Sequence, residues 1–284
     1  MPLEKEQNSL SFRISGVTEP SVGEVYLALD NPPAALQVFR NALAQRNKVI
    51  QAKPDNVDDR RNLSLVHGRI AKALQAMSDL DGALSAQEKG LAIAEQQAEA
   101  KPENRSLQRD LYVSNDSIAR ILRQQHRFDA ANAVFRRNIA LTKAIAAKHA
   151  SNEQAPEDFS NAIDAFGGTA YHAVLAHDFE EALEIADEAI ALAPGKIWLN
   201  SNRAHALMFL GREDEAREIY LKYRGVEKAL GDRAWDDVIL TDFTEIRQSG
   251  IDHPLMGEIE AAFGAPSHAG RRTTAAPETT ETVQ

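Results

Sequence analysis

Residues able to do chemistry are few in this chain, and their spacing argues against a catalytic centre. Of eight histidines, His172 and His177 come nearest to a pair, five residues apart and next to Asp178. Two zinc-binding histidines on one helix need a spacing of three or four and usually a nearby glutamate, so this pair does not read as a metal site. His67, His126, His149, His253 and His268 are scattered. Gly167-Gly168-Thr169 lies inside a helical pattern with no strand before it. It reads as a close packing point or a kink rather than a phosphate loop. No Gly-x-Ser-x-Gly motif occurs, and the absence of cysteine excludes disulfides, thiolate metal sites and cysteine nucleophiles. No catalytic residue, metal or cofactor is expected, and the acidic run Asp178 to Glu188 reads as a solvated helix face.

What must position the remaining polar residues is a repeat. Lys53-Pro54-Asp55-Asn56 returns as Lys101-Pro102-Glu103-Asn104, a shift of 48, and Asn104 returns as Asn152 by the same shift. In the same register Ile70-Ala71 aligns with Ile118-Ala119, Leu74 with Leu122, and Ala83 with Ala131 and Ala35. After Asn152 the period becomes 34, because Ala170 aligns with Ala204, Glu181 with Glu215, Ala182 with Ala216 and Ala186 with Tyr220. A fixed period of this size marks a solenoid in which each unit buries its apolar face on the next. The 14-residue difference gives each helix of a longer repeat roughly 10 Å more length.

The chain therefore divides into a flexible lead-in over 1–18, three long repeats over 19–152, two short repeats over 153–228, capping helices over 229–264 and a disordered tail over 265–284. Helix pairs are expected near 21–29 with 34–52, 58–77 with 81–100, 106–124 with 129–148, 156–176 with 179–193, and 196–210 with 213–224. Asp81 and Asp129 fall in equivalent places and are expected as N-caps. Trp235, Val238, Ile239, Phe243 and Ile246 form one apolar helical stripe, and His253-Pro254 opens a last short helix.

Composition agrees with stacked helices, since alanine is abundant and aromatics make up only 6%. The net charge of −10 disfavours nucleic acid as a partner. The charge is segregated: residues 101–148 carry ten Lys/Arg against four Asp/Glu, and residues 149–195 carry ten Asp/Glu and no Lys or Arg. No run of 18 apolar residues occurs, so neither a membrane span nor a membrane partner is expected. The start Met1-Pro2-Leu3-Glu4-Lys5 lacks the basic start and apolar core of a signal peptide, which predicts a cytoplasmic location.

Ala35-x3-Phe39, Ala131-x3-Phe135 and Ala216-x3-Tyr220, with Ala182 followed by Pro194, resemble the tetratricopeptide repeat over roughly residues 19–228. The 48-residue units resemble a long-helix version common in bacterial proteins. Gln87 and Ala186 stand where the pattern has an aromatic, and its tryptophan is missing from most repeats. The resemblance implies an all-α, right-handed α-solenoid of antiparallel helix pairs closed by a capping helix. It implies a non-enzymatic scaffold that binds a protein or peptide in a concave groove. The alternative is a regulatory or sensor subunit of an enzyme on another chain. Pro20 and Glu24 replace the Lys and Asn of the carboxylate-clamp subtype, which argues against that mode. The alanine register places Arg120, Arg123 and Gln124 of repeat three, Tyr171, Val174 and Leu175 of repeat four, and His205, Met208 and Phe209 of repeat five on the groove. A basic entrance and an apolar, aromatic floor would suit a partner with an acidic end and bulky apolar anchors.

Overall fold

The structure, a computed structural model, describes residues 19–52, 56–149 and 153–264. The expected lead-in, the expected tail, and Lys53, Pro54, Asp55 and Asn152 of the recurring motif lie outside the described residues. Among the described residues there are twelve α-helices: α1 Glu19–Ala28, α2 Pro32–Ala52, α3 Val57–Ala76, α4 Leu80–Ala100, α5 Arg105–Gln124, α6 Phe128–Lys148, α7 Gln154–Leu175, α8 Phe179–Leu192, α9 Leu199–Phe209, α10 Glu213–Lys222, α11 Trp235–Gln248 and α12 Pro254–Ala262. The chain forms an all-α solenoid of helix pairs, in two compact units that divide between Ala162 and Ile163, inside α7.

In the first unit α1 to α6 pack in sequence, each against the next. The recurring asparagine starts helix A in the second and third repeats. Asn56 Oδ1 accepts from the backbone N–H of Asp58 (2.9 Å) and Asp59 (3.2 Å). Asn104 Oδ1 accepts from those of Ser106 (3.1 Å) and Leu107 (3.3 Å). Each cap satisfies donors that the first helical turn leaves without partners. The capping expected of Asp81 and Asp129 is corrected. Asp79 caps α4, accepting from Gly82 N–H at 2.9 Å, and Arg127 precedes α6 with no side-chain cap. Asp81 and Asp129 sit in the first turn, where a carboxylate complements the positive end of the helix dipole.

Every turn from helix A to helix B is built the same way. Asp30, Ser78, His126, His177 and Gly211 take positive φ between 54° and 75°. The next residue's N–H then reaches back to a carbonyl five residues earlier: Asp79 to Leu74, Arg127 to Leu122, Asp178 to Ala173 and Arg212 to Leu207, each at 2.9 Å. This closure satisfies orphan carbonyls of helix A and reverses the chain for helix B. Four of the five turn residues carry a Cβ in a conformation that suits glycine.

Small residues let the helices of a pair meet. Gly23, Ala71 and Ala119 are 48 apart, and a Cβ added at Gly23 would collide with the Phe39 ring. Phe39 and Phe135 are fully buried at the helix B position of the Ala-x3-Phe motif. Gln87, which replaces that aromatic, is buried as well and directs Nε2 to the Ser114 carbonyl at 3.5 Å.

In the second unit Ala170, Ala182, Ala186, Ala204 and Ala216 are all fully buried, and Gly167 meets Leu199 where a Cβ would collide. Asn202 Nδ2 donates to the Gly167 carbonyl at 3.0 Å. The helices after the repeats pack onto it: Trp235 Nε1 donates to the Tyr220 carbonyl (2.9 Å), and Arg217 of α10 pairs with Glu258 of α12 (2.7 Å).

Phe135→Ala is expected to cost about 3–5 kcal/mol in denaturant unfolding, as for other buried aromatics. Ser78→Gly is expected to raise stability by about 0.5–1 kcal/mol by relieving the left-handed conformation of a residue with a Cβ. The same unfolding curves measure both.

Candidate functional site

The nine residues assigned to a groove fall into both units. In the second unit the structure places six of them against the chain's own C-terminal helices. Val174, His205 and Met208 are fully buried, and Tyr171, Leu175 and Phe209 pack on the same cluster with part of their surface exposed. Tyr171 Oη donates to Glu245 Oε2 (2.9 Å) and lies 3.4 Å from the Asp242 carbonyl. Burial, and then the Asp242 and Glu245 carboxylates, push its hydroxyl pKa well above the usual tyrosine range. His205 sits between Tyr220 Oη at Nδ1 (2.8 Å) and Asp242 Oδ2 at Nε2 (3.1 Å). In the neutral ring, Nε2–H donates to the carboxylate and Nδ1 accepts from the phenol. Phe209 stacks on Phe179 at 4.8 Å and meets His253 edge-on at 5.8 Å.

The expected open floor is therefore occupied in this unit. Trp235, Ile239, Phe243 and Ile246 of α11 belong to the same buried cluster as Val174 and Met208. The alignment identified equivalent positions on helix A, but α11 has no repeat register to show where it would settle.

In the first unit Arg120 and Gln124 are exposed and Arg123 is half-buried. Arg120 Nε donates to Asp116 Oδ2 (2.8 Å), and Gln124 Oε1 accepts from Gln75 Nε2 on α3 (2.9 Å). Desolvation first, and then the charge of Arg120, pull the Arg123 guanidinium pKa below its ordinary value, with Asp116 opposing. The Gln75–Gln124 contact belongs to a series that links successive A helices across one register, whereas Arg120–Asp116 lies within α5. Lys72 pairs with Glu24 at 2.8 Å, and Arg109 pairs with Asp158 at 3.0 Å. Arg61 pairs with Asp110 through both carboxylate oxygens.

Three residues on this face were missed in the sequence: Leu65, Lys72 and Val113. Leu65 and Val113 are 36% and 43% exposed although large and apolar, and they stand one repeat period apart. Lys72 and Arg120 are separated by the same period and lie seven residues beyond Leu65 and Val113. Applying the repeat period to the Arg120 assignment would have found Lys72, whereas Leu65 and Val113, seven residues earlier, carry no signal in that register.

Among the described residues no group of three or more His, Asp or Glu is placed to hold a metal ion, and no helix is long and apolar enough to cross a membrane. His172 and His177 are exposed; His177 occupies the turn and stacks on Phe179, while Asp178 caps α8.

Stacked helix pairs, small residues at the crossings and side chains displayed along helix A define a tetratricopeptide-like solenoid. Residues 173–229 match the family model described as tetratricopeptide repeat, and repeats of this kind generally mediate protein–protein interaction. The chain is similar in fold to the nearly identical TPR-like repeats of a protein assigned as a kinesin light chain of Podosopora anserina, with a TM-score of 0.50 and 16% identity over 72% of this chain and 90% of that one. A point variant of those repeats gives the same values. BtubC (BKLC) from P. vanneervenii has a TM-score of 0.46 at 13% identity, over 98% of this chain and 94% of that one. None of the curated proteins matches the chain in sequence.

His205→Ala is expected to destabilise the protein by about 1–3 kcal/mol, because it strands the Tyr220 hydroxyl and the Asp242 carboxylate. Tyr171→Phe, which removes one partly exposed hydrogen bond, is expected to cost about 0.5–1.5 kcal/mol. Urea unfolding measures both, and a neutral His205→Ala would mean that α11 is not held through this contact.

Proposed function

We propose that this chain is a non-enzymatic scaffold whose recognition surface is the outward side of α3 and α5 in the first unit. The observation that carries this is a two-row pattern. Leu65 and Val113 form an apolar row across the two helices, with Lys72 and Arg120 as a cationic row. Residues seven apart lie on one side of a helix, so the rows are separated by about 10 Å. A protein segment that presents bulky apolar side chains on one edge and carboxylates on the other would match both rows at once.

The ion pairs already present do not prevent this. The Lys72 and Arg120 side chains are 62% and 51% exposed, and such pairs contribute little to stability, so a partner's carboxylate can replace or share the local one. Glu24, Asp110, Asp116 and Asp158 are interleaved among the cations. That mixture suits discrete carboxylates better than a continuous phosphate backbone, which leans on clustered positive charge. Desolvated Arg123 beside Arg120 adds demand for an anion at this end of α5.

The test is capture from native lysate of the source organism with the wild-type chain and with a Lys72→Glu/Arg120→Glu variant, read by quantitative mass spectrometry. The partners held by the wild type are expected to be lost from the variant, at a cost of at least about 1 kcal/mol of binding, and to weaken with added salt. Its melting temperature is expected to stay nearly unchanged, because both changed residues are exposed. Partners that bind the variant equally well would place recognition elsewhere. A stable catalytic protein among them would favour a regulatory subunit.

A further inference from the structure

An open cavity of about 650 Å³ lies in the second unit, apart from the surface just described. Asp164 of α7 forms one wall, the loop Gly195 to Trp198 a second, and the loop Lys228 to Gly231 a third. The lining combines an indole, aliphatic side chains and two ammonium groups. Trp198 and Ile197 are half-buried, Leu230 is an exposed large apolar residue, and Lys196 and Lys228 stand beside them. The single carboxylate among the lining residues, Asp164, accepts from Lys196 Nζ at 2.7 Å through Oδ2, while its Oδ1 is buried with no hydrogen-bond partner. Lys228 pairs with Asp232 at 3.9 Å, and that carboxylate is fully exposed, so the contact is too weak to hold the ammonium.

The walls are pre-formed. Leu230 and Arg233 make a β-bridge around Gly231, whose φ is +59°, and Trp235 N–H closes the loop onto the Val226 carbonyl at 2.8 Å. On the other side Asn200 N–H bonds the Ile197 carbonyl (2.9 Å) and Ser201 Oγ bonds the Trp198 carbonyl (2.8 Å). Volume, an apolar wall and a few fixed polar groups are the ordinary features of a ligand site.

We propose that this cavity binds an apolar carboxylate: a bulky aliphatic group against Trp198, Ile197 and Leu230, with its carboxylate between Lys228 and Lys196. Two sources present this chemistry, a free small acid and the C-terminus of a protein that ends in a large aliphatic residue. The cationic rim disfavours an amine at the same place.

The chain has two tryptophans, and Trp235 is fully buried with its indole N–H bonded to Tyr220, so a ligand here is read by Trp198 fluorescence. The full chain is titrated with N-acetyl-leucine, with its primary amide, and with a short peptide ending in a free leucine carboxylate. The acids are expected to change the emission saturably, and the amide to bind about fivefold or more weakly. Lys228→Glu, at an exposed position, is expected to weaken the acids by a similar factor, and Trp198→Phe to abolish the signal. Tighter binding of the peptide assigns the site to a chain terminus, and equal or tighter binding of N-acetyl-leucine assigns it to a small acid. No saturable change by about 10 mM, equal binding of acid and amide, or wild-type binding by Lys228→Glu would each overturn the proposal. The Lys72→Glu/Arg120→Glu variant is expected to titrate like the wild type, which separates this site from the helical face of the first unit.

Discussion

Where helix A of a repeat crosses helix B, the contact is made by a side chain no larger than a methyl group, and the facing residue fills what remains. Gly23 takes this place in the first repeat, directly against Phe39, and Ala71 and Ala119 take it in the next two. In the second unit it falls to Ala170 and Ala204. Interiors packed at crystal-like density tolerate neither a void nor an extra methylene. The crossing therefore sets the distance at which both helices can bury their apolar stripes. The residue facing the crossing can change identity if it still fills the space and leaves no polar atom stranded. Gln87 illustrates this by occupying an aromatic slot and directing its amide to the Ser114 carbonyl.

The turn within each pair contributes a second constraint, of backbone rather than side chain. With one residue in the left-handed region and the following N–H returned to helix A, the reversal takes very few residues. The residue types are Asp, Ser, His, His and Gly, which share no side-chain chemistry. What they share is position after the last turn of helix A. Short polar or imidazole side chains tolerate this region better than a β-branched residue would, so selection here works by exclusion. Asn56 and Asn104 act at the opposite end of helix A, where the side chain itself makes the bonds and the residue type is accordingly the same in both repeats.

This difference explains which features were legible in the sequence. Small residues at crossings and cap asparagines each require a particular residue type, so they recur visibly at the long or the short period and reveal the helix pairs, whereas the facing aromatic recurs only in part, with Gln87 and Ala186 in its place. Helix A to helix B turns require only a permitted φ and leave no signature. The Asp81 and Asp129 caps were misplaced for a related reason: two equivalent aspartates in the first turn look like caps, whereas the cap position lies two residues earlier and carries a capping side chain in only one of the two helices. His205 was legible as equivalent to exposed positions in other repeats. Its burial depends on Asp242 and Phe243, from a helix outside the repeat whose docking no internal alignment can indicate.

The same helix A position thus has different fates in the two units. In the second unit its side chains are engaged by α11, through Tyr171 with Glu245 and His205 with Asp242, and what surface chemistry remains moves to the loops around Trp198. In the first unit successive A helices are joined by polar contacts at intervals of 48 or 49 residues, which leave long side chains in water and an apolar residue between them. Contacts of this kind contribute little to folding compared with the buried crossings. Their side chains can therefore vary without threatening the stack, and a partner can rearrange them at small cost. A solenoid keeps its fold in residues that face inward between helices and its specificity in residues that do not. On the reading proposed above the second set lies on α3 and α5, while α11 covers the corresponding positions of the second unit.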